Sequence, residues 1–287
     1  MIKFLKKLAV FGVIFIVYTL SMLIINSYII VTEQNNISTH TNILIAGDSH
    51  MQKAVVTSEF KDALSIAQTA EPYHVTYWKL KFLETTYTYD TLILGFSHHN
   101  FSSFNDLKFN DKIWSTEMYK RTYLTNRFEY LSAEYYSKNE FYKTYFERMC
   151  IYPNFNHFKF MGGYKNLDIS KIQDSQTTID RHFYIKGQEA EISNTQIAYL
   201  DSIYEFCNTN DIKLILTSSP VHIKYKNKIP AKYLVKYEAK KMEFNTLNIL
   251  IIDQYKAKYR DDEYLNVDHV NSKGSKRFTR ELINQLK

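Results

Sequence analysis

The pattern of apolar positions divides the chain into one long N-terminal run and several short runs further on. Residues 8–31 are nearly continuous apolar sequence, interrupted only by Gly12, Thr19, Ser21, Asn26 and Ser27. About twenty apolar residues in a helix are enough to cross the hydrocarbon core of a bilayer. The long run therefore predicts a single transmembrane helix.

The distribution of lysines predicts the orientation of this helix. Lys3, Lys6 and Lys7 precede the run, and the next basic residue is Lys53. Positive flanking residues stay in the cytoplasm. We expect residues 1–7 to be a cytoplasmic tail, 8–31 a single-pass inner (cytoplasmic) membrane anchor, 32–41 a tether, and the main domain to be extracytoplasmic. A cleaved signal peptide is the alternative, although its apolar segment is usually shorter and ends in a small-x-small site.

Five short apolar runs, each ending near turn residues, predict buried strands at residues 42–46, 63–68, 91–94, 212–217 and 248–252. Helical patterns lie between them. One helix begins at a capping box formed by Ser193 and Gln196, and the last begins near Ser272. Lys79 and Lys81 are expected on the solvated face of another helix. Strands that alternate with helices predict an α/β fold, in which a parallel sheet is covered on both faces.

Residues 101–191 break this alternation and are rich in tyrosine, phenylalanine and asparagine. A structureless loop of that length is improbable in a compact domain. We expect a mostly helical insertion that leaves the sheet at its strand-end face and covers a cleft there. Residues 42–287 would then form one domain that contains this insertion.

Composition narrows the function classes. With 287 residues, 45% of them hydrophobic, the chain can bury a full core, and its seven glycines form no GxGxxG or GxxxxGK[ST] phosphate loop. Three of the 36 basic residues precede the apolar run and all 30 acidic residues follow it, so the remainder carries a formal charge of only +3. We therefore expect no nucleic-acid partner. Cys150 and Cys207 could pair in an oxidising compartment, and their pairing stays open.

Two polar segments lie where strands end. Gly47, Asp48 and Ser49 directly follow the first predicted strand, and His269 lies in a loop just before the last helix. In a doubly wound sheet these loops share one edge, so Ser49 could act as a nucleophile and His269 as its general base. The alternative is that Asp48 or Ser49 merely caps the following helix.

These two segments resemble the SGNH (GDSL-type) hydrolase superfamily. Residues 46–49 read Ala-Gly-Asp-Ser and residues 266–271 read Asn-Val-Asp-His-Val-Asn. They are similar in particular to the membrane-anchored bacterial branch related to D-alanyl transfer proteins and alginate-type O-acetyltransferases. The resemblance implies a flavodoxin-like three-layer α/β/α sandwich, a serine nucleophile at Ser49, a histidine base at His269, and acyl-ester chemistry, often on surface polysaccharides.

The resemblance also implies where the oxyanion donors lie. The family uses the serine amide, a glycine amide after the second strand and an asparagine side chain after the third. Here the second position offers the amide of Thr69 or Ala70, and the third offers Asn100, with His98 or His99 as substitutes. His222 follows a strand as well, and we expect it to line the cleft.

The chain departs from the family pattern at the acid of the triad. The family places an aspartate three residues before the histidine, and this chain has Asn266 there, with Asp268 directly before His269. An asparagine carbonyl can still hold an imidazole, as in the Cys-His-Asn enzymes. Asp268 could also turn towards the ring. Either the chain works with a weakened triad or a dyad, or it has lost catalysis and kept binding.

The sequence is consistent with two alternative functions. The first is an anchored serine esterase or O-acyltransferase that acts on acyl groups of a cell-surface polysaccharide, without a cofactor, with a glycan or acyl donor as ligand and a membrane acyltransferase as a partner. The second is a non-catalytic glycan-binding or scaffold subunit of an envelope-polysaccharide complex.

A metal site is a weaker interpretation of the same edge. The set of side chains that could converge there comprises Asp48, His50, His98, His99, Asp268 and His269. Nitrogen and oxygen donors of this kind suit zinc or manganese. The ligand spacing of dinuclear phosphoesterases is absent, however, so the sequence by itself predicts no metal.

Overall fold

The computed structural model describes residues 1–35, 40–111, 113–123, 137–152, 161–172 and 175–287. These residues belong to two compact units. Unit 1 comprises Met1–Ser38 and Phe109–Phe160, and unit 2 comprises Thr39–Lys108 and Met161–Lys287. Residues 36–39 of the predicted tether, and residues 112, 124–136, 153–160 and 173–174 of the predicted insertion, lie outside the described residues.

Unit 2 contains a five-stranded sheet in which every neighbouring pair is parallel. Its strands are β1 (His40–Ala46), β2 (Ala63–Ser65), β3 (Thr88–Gly95), β6 (Lys213–Ser218) and β7 (Leu250–Asp253). They lie in the order β2-β1-β3-β6-β7. A separate antiparallel ribbon is formed by β4 (Tyr184–Ile185) and β5 (Gln188–Glu189). The order of the five strands is that of flavodoxin-like folds.

Both faces of the sheet are buried. Ile45, Ile93 and Ile215 align on neighbouring strands and pack into a core with residues of the helices α2 (Ser49–Ala54) and α10 (Ser272–Leu286). Their sequence neighbours Leu44 and Leu92 point to the opposite face, and both are fully buried as well. The predicted α/β fold with a parallel sheet covered on both faces is therefore confirmed.

The remaining helices of unit 2 are α3 (Tyr73–Leu83), α6 (Gln176–Phe183), α7 (Asn194–Thr209), α8 (Ile223–Lys226) and α9 (Ala231–Thr246). Ser193 caps α7, as predicted, because its hydroxyl accepts a hydrogen bond from the backbone N–H of Gln196 at 2.9 Å. The side chain of Gln196 does not complete the capping box. It accepts a hydrogen bond from the backbone N–H of Tyr73 instead, which ties α7 to α3.

The carboxyl ends of β1 and β3 form the switch point of the sheet, where the chain order reverses and ligands bind in such folds. The loop after β1 begins with Gly47, whose φ of 130° lies in a region that other residues rarely adopt. A Cβ atom at this position would also come within 3.2 Å of the backbone nitrogen of Gly95 on β3. Glycine at position 47 therefore allows the two strand ends to approach each other.

Unit 1 contains α1 (Ile2–Asn35), α4 (Ser115–Tyr123), α5 (Lys138–Tyr145) and a short π-helix at Phe146–Ile151. Helix α1 is long and apolar enough to cross a membrane, and a signal sequence at this position would pass the same test. The Asn26 side chain is buried and donates hydrogen bonds to the carbonyls of Arg148, Met149 and Tyr152. It thereby satisfies carbonyls that the end of a helix leaves without intrahelical partners.

The two cysteines, whose pairing was left open by the sequence, are free thiols. Cys207 is buried on α7, where burial raises the pKa of its thiol to about 12. A thiol in that environment behaves as a small apolar side chain.

The prediction that Lys79 lies on a solvated helix face is wrong. Lys79 is only 1% exposed and forms an ion pair with the fully buried carboxylate of Glu71. Its ammonium group also donates hydrogen bonds to the carbonyls of Ile66 and Met161. The sequence could not reveal this, because a lysine is fully buried only when it is paired, and the partners of Lys79 all lie outside its helix. Lys81, by contrast, is partly exposed and pairs with Glu84.

Replacing Lys79 with methionine is expected to lower the free energy of unfolding by about 3–5 kcal/mol, because it leaves the Glu71 carboxylate buried without its counter-charge. The matched control is Lys81→Met on the same helix, which removes a partly exposed pair and should cost no more than about 1 kcal/mol. Denaturant unfolding of the detergent-solubilised chain measures both values. Equal, small losses in the two variants would contradict the buried ion pair.

Candidate active site

Ser49 and His269 meet at the switch-point edge of unit 2. Ser49 is the first residue of α2 and is partly exposed, and His269 lies in the loop before α10. The Ser49 Oγ atom lies 2.8 Å from Nε2 of His269, within hydrogen-bond distance. A serine hydroxyl and an imidazole nitrogen in this relation are the arrangement by which a general base activates a nucleophile.

The other ring nitrogen of His269 faces two side chains. Its Nδ1 lies 3.1 Å from Oδ1 of Asn266, which also accepts the backbone N–H of His269 at 2.9 Å. The same Nδ1 lies 3.1 Å from Oδ1 of Asp268, but the approach does not have hydrogen-bond geometry. We therefore assign the Nδ1–H hydrogen bond to Asn266, which leaves Nε2 free of hydrogen and able to accept the Ser49 proton. Asp268 contributes its charge at close range.

Asp268 is fully buried and remains ionised. Its Oδ2 atom lies 3.4 Å from a guanidinium nitrogen of Arg181 and 3.7 Å from Nε2 of His182, both on α6. Burial by itself raises the pKa of this carboxyl, but the imidazole of His269, with smaller contributions from those of His182 and His50, holds it well below its usual range. A negative charge is thus fixed directly beside the His269 ring.

Asp48 has two structural functions at the same edge. Its Oδ1 atom accepts the backbone N–H of His50 and caps α2, so the capping alternative holds for this residue while Ser49 faces His269. Its Oδ2 atom lies 2.5 Å from Nε2 of His99 and accepts a hydrogen bond from Nδ2 of Asn100. Burial raises the pKa of Asp48, but the charges and hydrogen bonds of His99 and His50 together keep the pKa well below its usual range.

The predicted oxyanion donors are not equally available to a substrate. The backbone N–H of Thr69 donates to the side chain of Gln52 at 3.2 Å, so it is already engaged. Ala70 has a φ of 61°, the left-handed conformation in which glycine is most often found, so the backbone keeps a glycine-like turn without a glycine. Asn100 donates one amide hydrogen to Asp48, and its NH₂ group carries a second.

The predicted oxyanion function of His98 does not fit its position. The His98 ring stacks on Tyr237 of α9 at 4.1 Å and packs edge-on against Tyr255 at 4.4 Å, and it is buried. The cause is the 3₁₀ turn at His98–Phe101, which directs successive side chains to different sides, so that His99 rather than His98 reaches Asp48.

Because burial lowers the pKa of His98 to about 3, we expect a pH dependence of stability. An unfolded histidine binds a proton below about pH 6.5, so the unfolded state takes up more protons than the folded state as the pH falls from there towards 3, and stability declines. His98→Phe keeps a ring beside Tyr237 and removes the titration. Between pH 5.5 and 4.5, we expect it to reduce the loss of unfolding free energy by about 1.4 kcal/mol per pH unit.

Thermal unfolding of the wild type and of His98→Phe, compared first at pH 7.5 to isolate the packing effect, measures this difference in slope. Identical pH dependence in the two proteins would contradict a neutral, buried His98.

His222 is engaged as a structural residue rather than exposed to a cleft. Its Nδ1 atom accepts the backbone N–H of Lys224 and caps α8, and its Nε2 atom lies 3.3 Å from a carboxylate oxygen of Asp261. Its backbone N–H donates to the carbonyl of Val267 at 2.9 Å. His222 thus fixes the loop that carries His269, and its predicted function as a cleft residue is not supported.

Sequence reasoning placed the insertion over this edge but did not identify the residues by which it reaches the site. Arg181 and His182 lie within the predicted insertion, which carries none of the family motifs, yet both side chains reach Asp268. The His182 ring also stacks on His99 at 4.6 Å. No local signal marks these residues, because only the tertiary fold brings α6 to the ends of β1 and β3.

Comparisons with known proteins find similarity only to solved structures. No known family matches the sequence, and no curated protein matches it. Among solved structures, the chain is similar to a proposed acylhydrolase from Bacteroides fragilis, at 11% identity and a TM-score of 0.41, over 88% of this chain and 87% of that one. It is also similar to a GDSL-like lipase from Bacteroides thetaiotaomicron, at 11% identity and a TM-score of 0.43, over 92% of this chain and 97% of that one.

Proposed function

We propose that this protein is a membrane-anchored serine esterase or O-acyltransferase that acts on acyl groups of a cell-surface polysaccharide. The observation that carries the proposal is the distance of 2.8 Å between Ser49 Oγ and His269 Nε2 at the switch-point edge of the sheet. The partly exposed hydroxyl is available to a substrate, and the neighbouring imidazole is held from its other side by Asn266.

In the first step, Ser49 Oγ attacks the carbonyl carbon of the acyl ester while His269 Nε2 takes the hydroxyl proton. The resulting imidazolium is stabilised by the carboxylate of Asp268 at 3.1 Å from Nδ1. The oxyanion of the tetrahedral intermediate would be bound by the backbone N–H groups of Ser49 and Ala70 and by the second amide hydrogen of Asn100. Its collapse breaks the ester bond, and the leaving alcohol takes the proton from His269.

The second step removes the acyl group from Ser49. An incoming hydroxyl gives its proton to His269 Nε2 and attacks the acyl carbon, and the Ser49 oxygen leaves with that proton. If the incoming group is water, the reaction is hydrolysis, and if it is a sugar hydroxyl, the reaction is transfer. The same residues serve both reactions, because hydrolysis and transfer differ only in which acceptor, water or a sugar hydroxyl, binds at the switch-point edge.

Two observations support the proposed location and substrate class. Helix α1 is long and apolar enough to cross a membrane, and Lys3, Lys6 and Lys7 lie at its N-terminal end, which favours a cytoplasmic N-terminus and an extracytoplasmic unit 2. The motifs at residues 46–49 and 266–271 resemble a branch that works on cell-surface polysaccharides. A membrane acyltransferase that supplies acyl groups is the corresponding partner.

Release of acetate from purified O-acetylated envelope glycans tests this function. We expect the detergent-solubilised wild type to release acetate, or to move it to an acceptor glycan, and Ser49→Ala to do neither. Ser202→Ala on α7 is the control, since among the described residues its hydroxyl bonds only to the helix carbonyl of Ala198. Turnover that is equal in Ser49→Ala would overturn the proposal, and glycan binding without any turnover in the wild type would favour the scaffold function.

A further inference from the structure

The switch-point edge holds more imidazoles than ester chemistry requires. Four histidines and two aspartates, here called the histidine cluster, lie together in unit 2: His50, His99, His182, His269, Asp48 and Asp268. The ring centroid of His50 lies 4.3 Å from that of His99 and 4.8 Å from that of His269. A serine nucleophile needs only one of these imidazoles as its base.

Two polar atoms in the cluster have no hydrogen-bond partner among the described residues. They are Nε2 of His50, on a side chain whose residue is 2% exposed, and Oδ1 of Asp268, whose residue is fully buried. Leaving a buried polar atom without a partner is destabilising, and an unseen ion is one explanation for such an atom. The other ring nitrogen of His50 lies 3.3 Å from Ser219 Oγ, which holds the ring in place.

The same two residues, together with His269, bring three potential metal-donor atoms close together. One donor atom from each of His50, Asp268 and His269 can be chosen so that all lie within 4.8 Å of one another. Tetrahedral zinc with bonds of about 2.1 Å separates its donors by roughly 3.4 Å, so shifts on the order of 1 Å would close the site. Two imidazoles and one carboxylate leave a further coordination position open, as in catalytic zinc sites.

The surrounding residues could orient these ligands. His182 Nε2 lies 3.7 Å from the second carboxylate oxygen of Asp268, and Arg181 lies 3.4 Å from the same oxygen. Groups that hold a ligating carboxylate from its far side are a regular feature of metal sites.

We infer that His50, Asp268 and His269 bind one divalent first-row transition-metal ion, with zinc as the reference ion, and that the bound ion prevents His269 from acting as a base. The second part rests on the proposed function. An imidazole whose lone pair is bound to a metal cannot accept the proton of Ser49, whichever ring nitrogen is coordinated. Zinc would therefore be a reversible inhibitor of the ester chemistry at this edge.

Zinc binding tests the site independently of catalysis. The full chain, without a histidine tag and stripped of metal in detergent, is titrated with Zn²⁺ against a chromophoric chelator. We expect one ion per chain in the wild type and in Ser49→Ala, and at least tenfold weaker binding in His50→Gln and in Asp268→Asn. His40→Gln, at the start of β1, is the control and should bind as the wild type does.

Absence of stoichiometric binding to the folded wild type, or binding by His50→Gln equal to that of the wild type, would overturn the site. Circular dichroism establishes that each variant is folded. Because the titration includes Ser49→Ala, its outcome does not depend on whether the protein is an esterase.

The inhibitory effect has its own readout. Saturating Zn²⁺ should slow the labelling of Ser49 by a fluorophosphonate at least tenfold in the wild type, a chelator should reverse this, and His50→Gln should not respond. Labelling at an unchanged rate while one ion per chain is bound would contradict the exclusion of His269 from catalysis.

Discussion

Replacing Ser49 with alanine is expected to lower kcat/KM for a small activated ester, p-nitrophenyl acetate, by at least about 10³-fold, whereas removal of the serine from a full triad costs roughly 10⁶-fold in kcat. The reason is that Ser49 Oγ is the atom positioned 2.8 Å from His269 Nε2, so its removal leaves the base without a nucleophile to activate. The residual rate would come from the remaining oxyanion donors and from substrate binding.

The assay is run with a chelator present, so that any bound metal does not mask the serine chemistry. Ser202→Ala on α7 should retain the wild-type rate, and comparison of the two alanine variants separates loss of the hydroxyl from any general effect of the substitution. A rate in Ser49→Ala within tenfold of the wild type would exclude Ser49 as the nucleophile.

Replacing Asp268 with asparagine is expected to lower kcat about 10²-fold with little change in KM, a smaller loss than the roughly 10⁴-fold seen when the aspartate of a full triad becomes asparagine. The loss is smaller because Asn266 still accepts the Nδ1–H and fixes the tautomer of His269. The substitution removes the negative charge that lies 3.1 Å from Nδ1 of His269. This charge stabilises the imidazolium formed in both steps.

A second substitution separates this electrostatic effect from structural damage. Asn266→Asp places a carboxylate three residues before His269, where the Asn266 oxygen already faces Nδ1, and we expect it to recover at least tenfold of the activity lost in Asp268→Asn. In the wild-type background, Asn266→Asp should change the rate only a few-fold, because one carboxylate already faces the ring. A wild-type rate in Asp268→Asn, or the absence of rescue in the double variant, would contradict the function given to Asp268.

The parts of the fold that the sequence predicted follow from local patterns. Each of the five predicted strands overlaps one in the structure, because short apolar runs closed by turn residues are buried on both faces of a parallel sheet. The expectation that Ser49 and His269 lie at one edge used only topology, since one follows a strand and the other precedes the last helix. The N-cap of α7 at Ser193 was predicted from its capping residues, and α10 begins at Ser272, where the last helix was expected to start.

The remaining features depend on contacts between distant parts of the chain. Lys79 is buried because Glu71 and the carbonyls of Ile66 and Met161 surround its ammonium group, and no helical periodicity contains that information. His98 and His99 are adjacent in sequence, and only the turn geometry decides which one faces Asp48. His182 reaches the site from a segment without recognisable motifs, so its position follows only from the packing of α6.

The central claim is that His269 activates the hydroxyl of Ser49. Its most direct measurement is the labelling of the detergent-solubilised, metal-stripped chain by a fluorophosphonate, with the modified residue located by mass spectrometry of peptides. We predict that the label is on Ser49 in the wild type, that it is absent in Ser49→Ala, and that His269→Ala slows labelling at least a hundredfold. A folded wild type that takes up no label, or one whose Ser49 is labelled equally fast in His269→Ala, would contradict the claim.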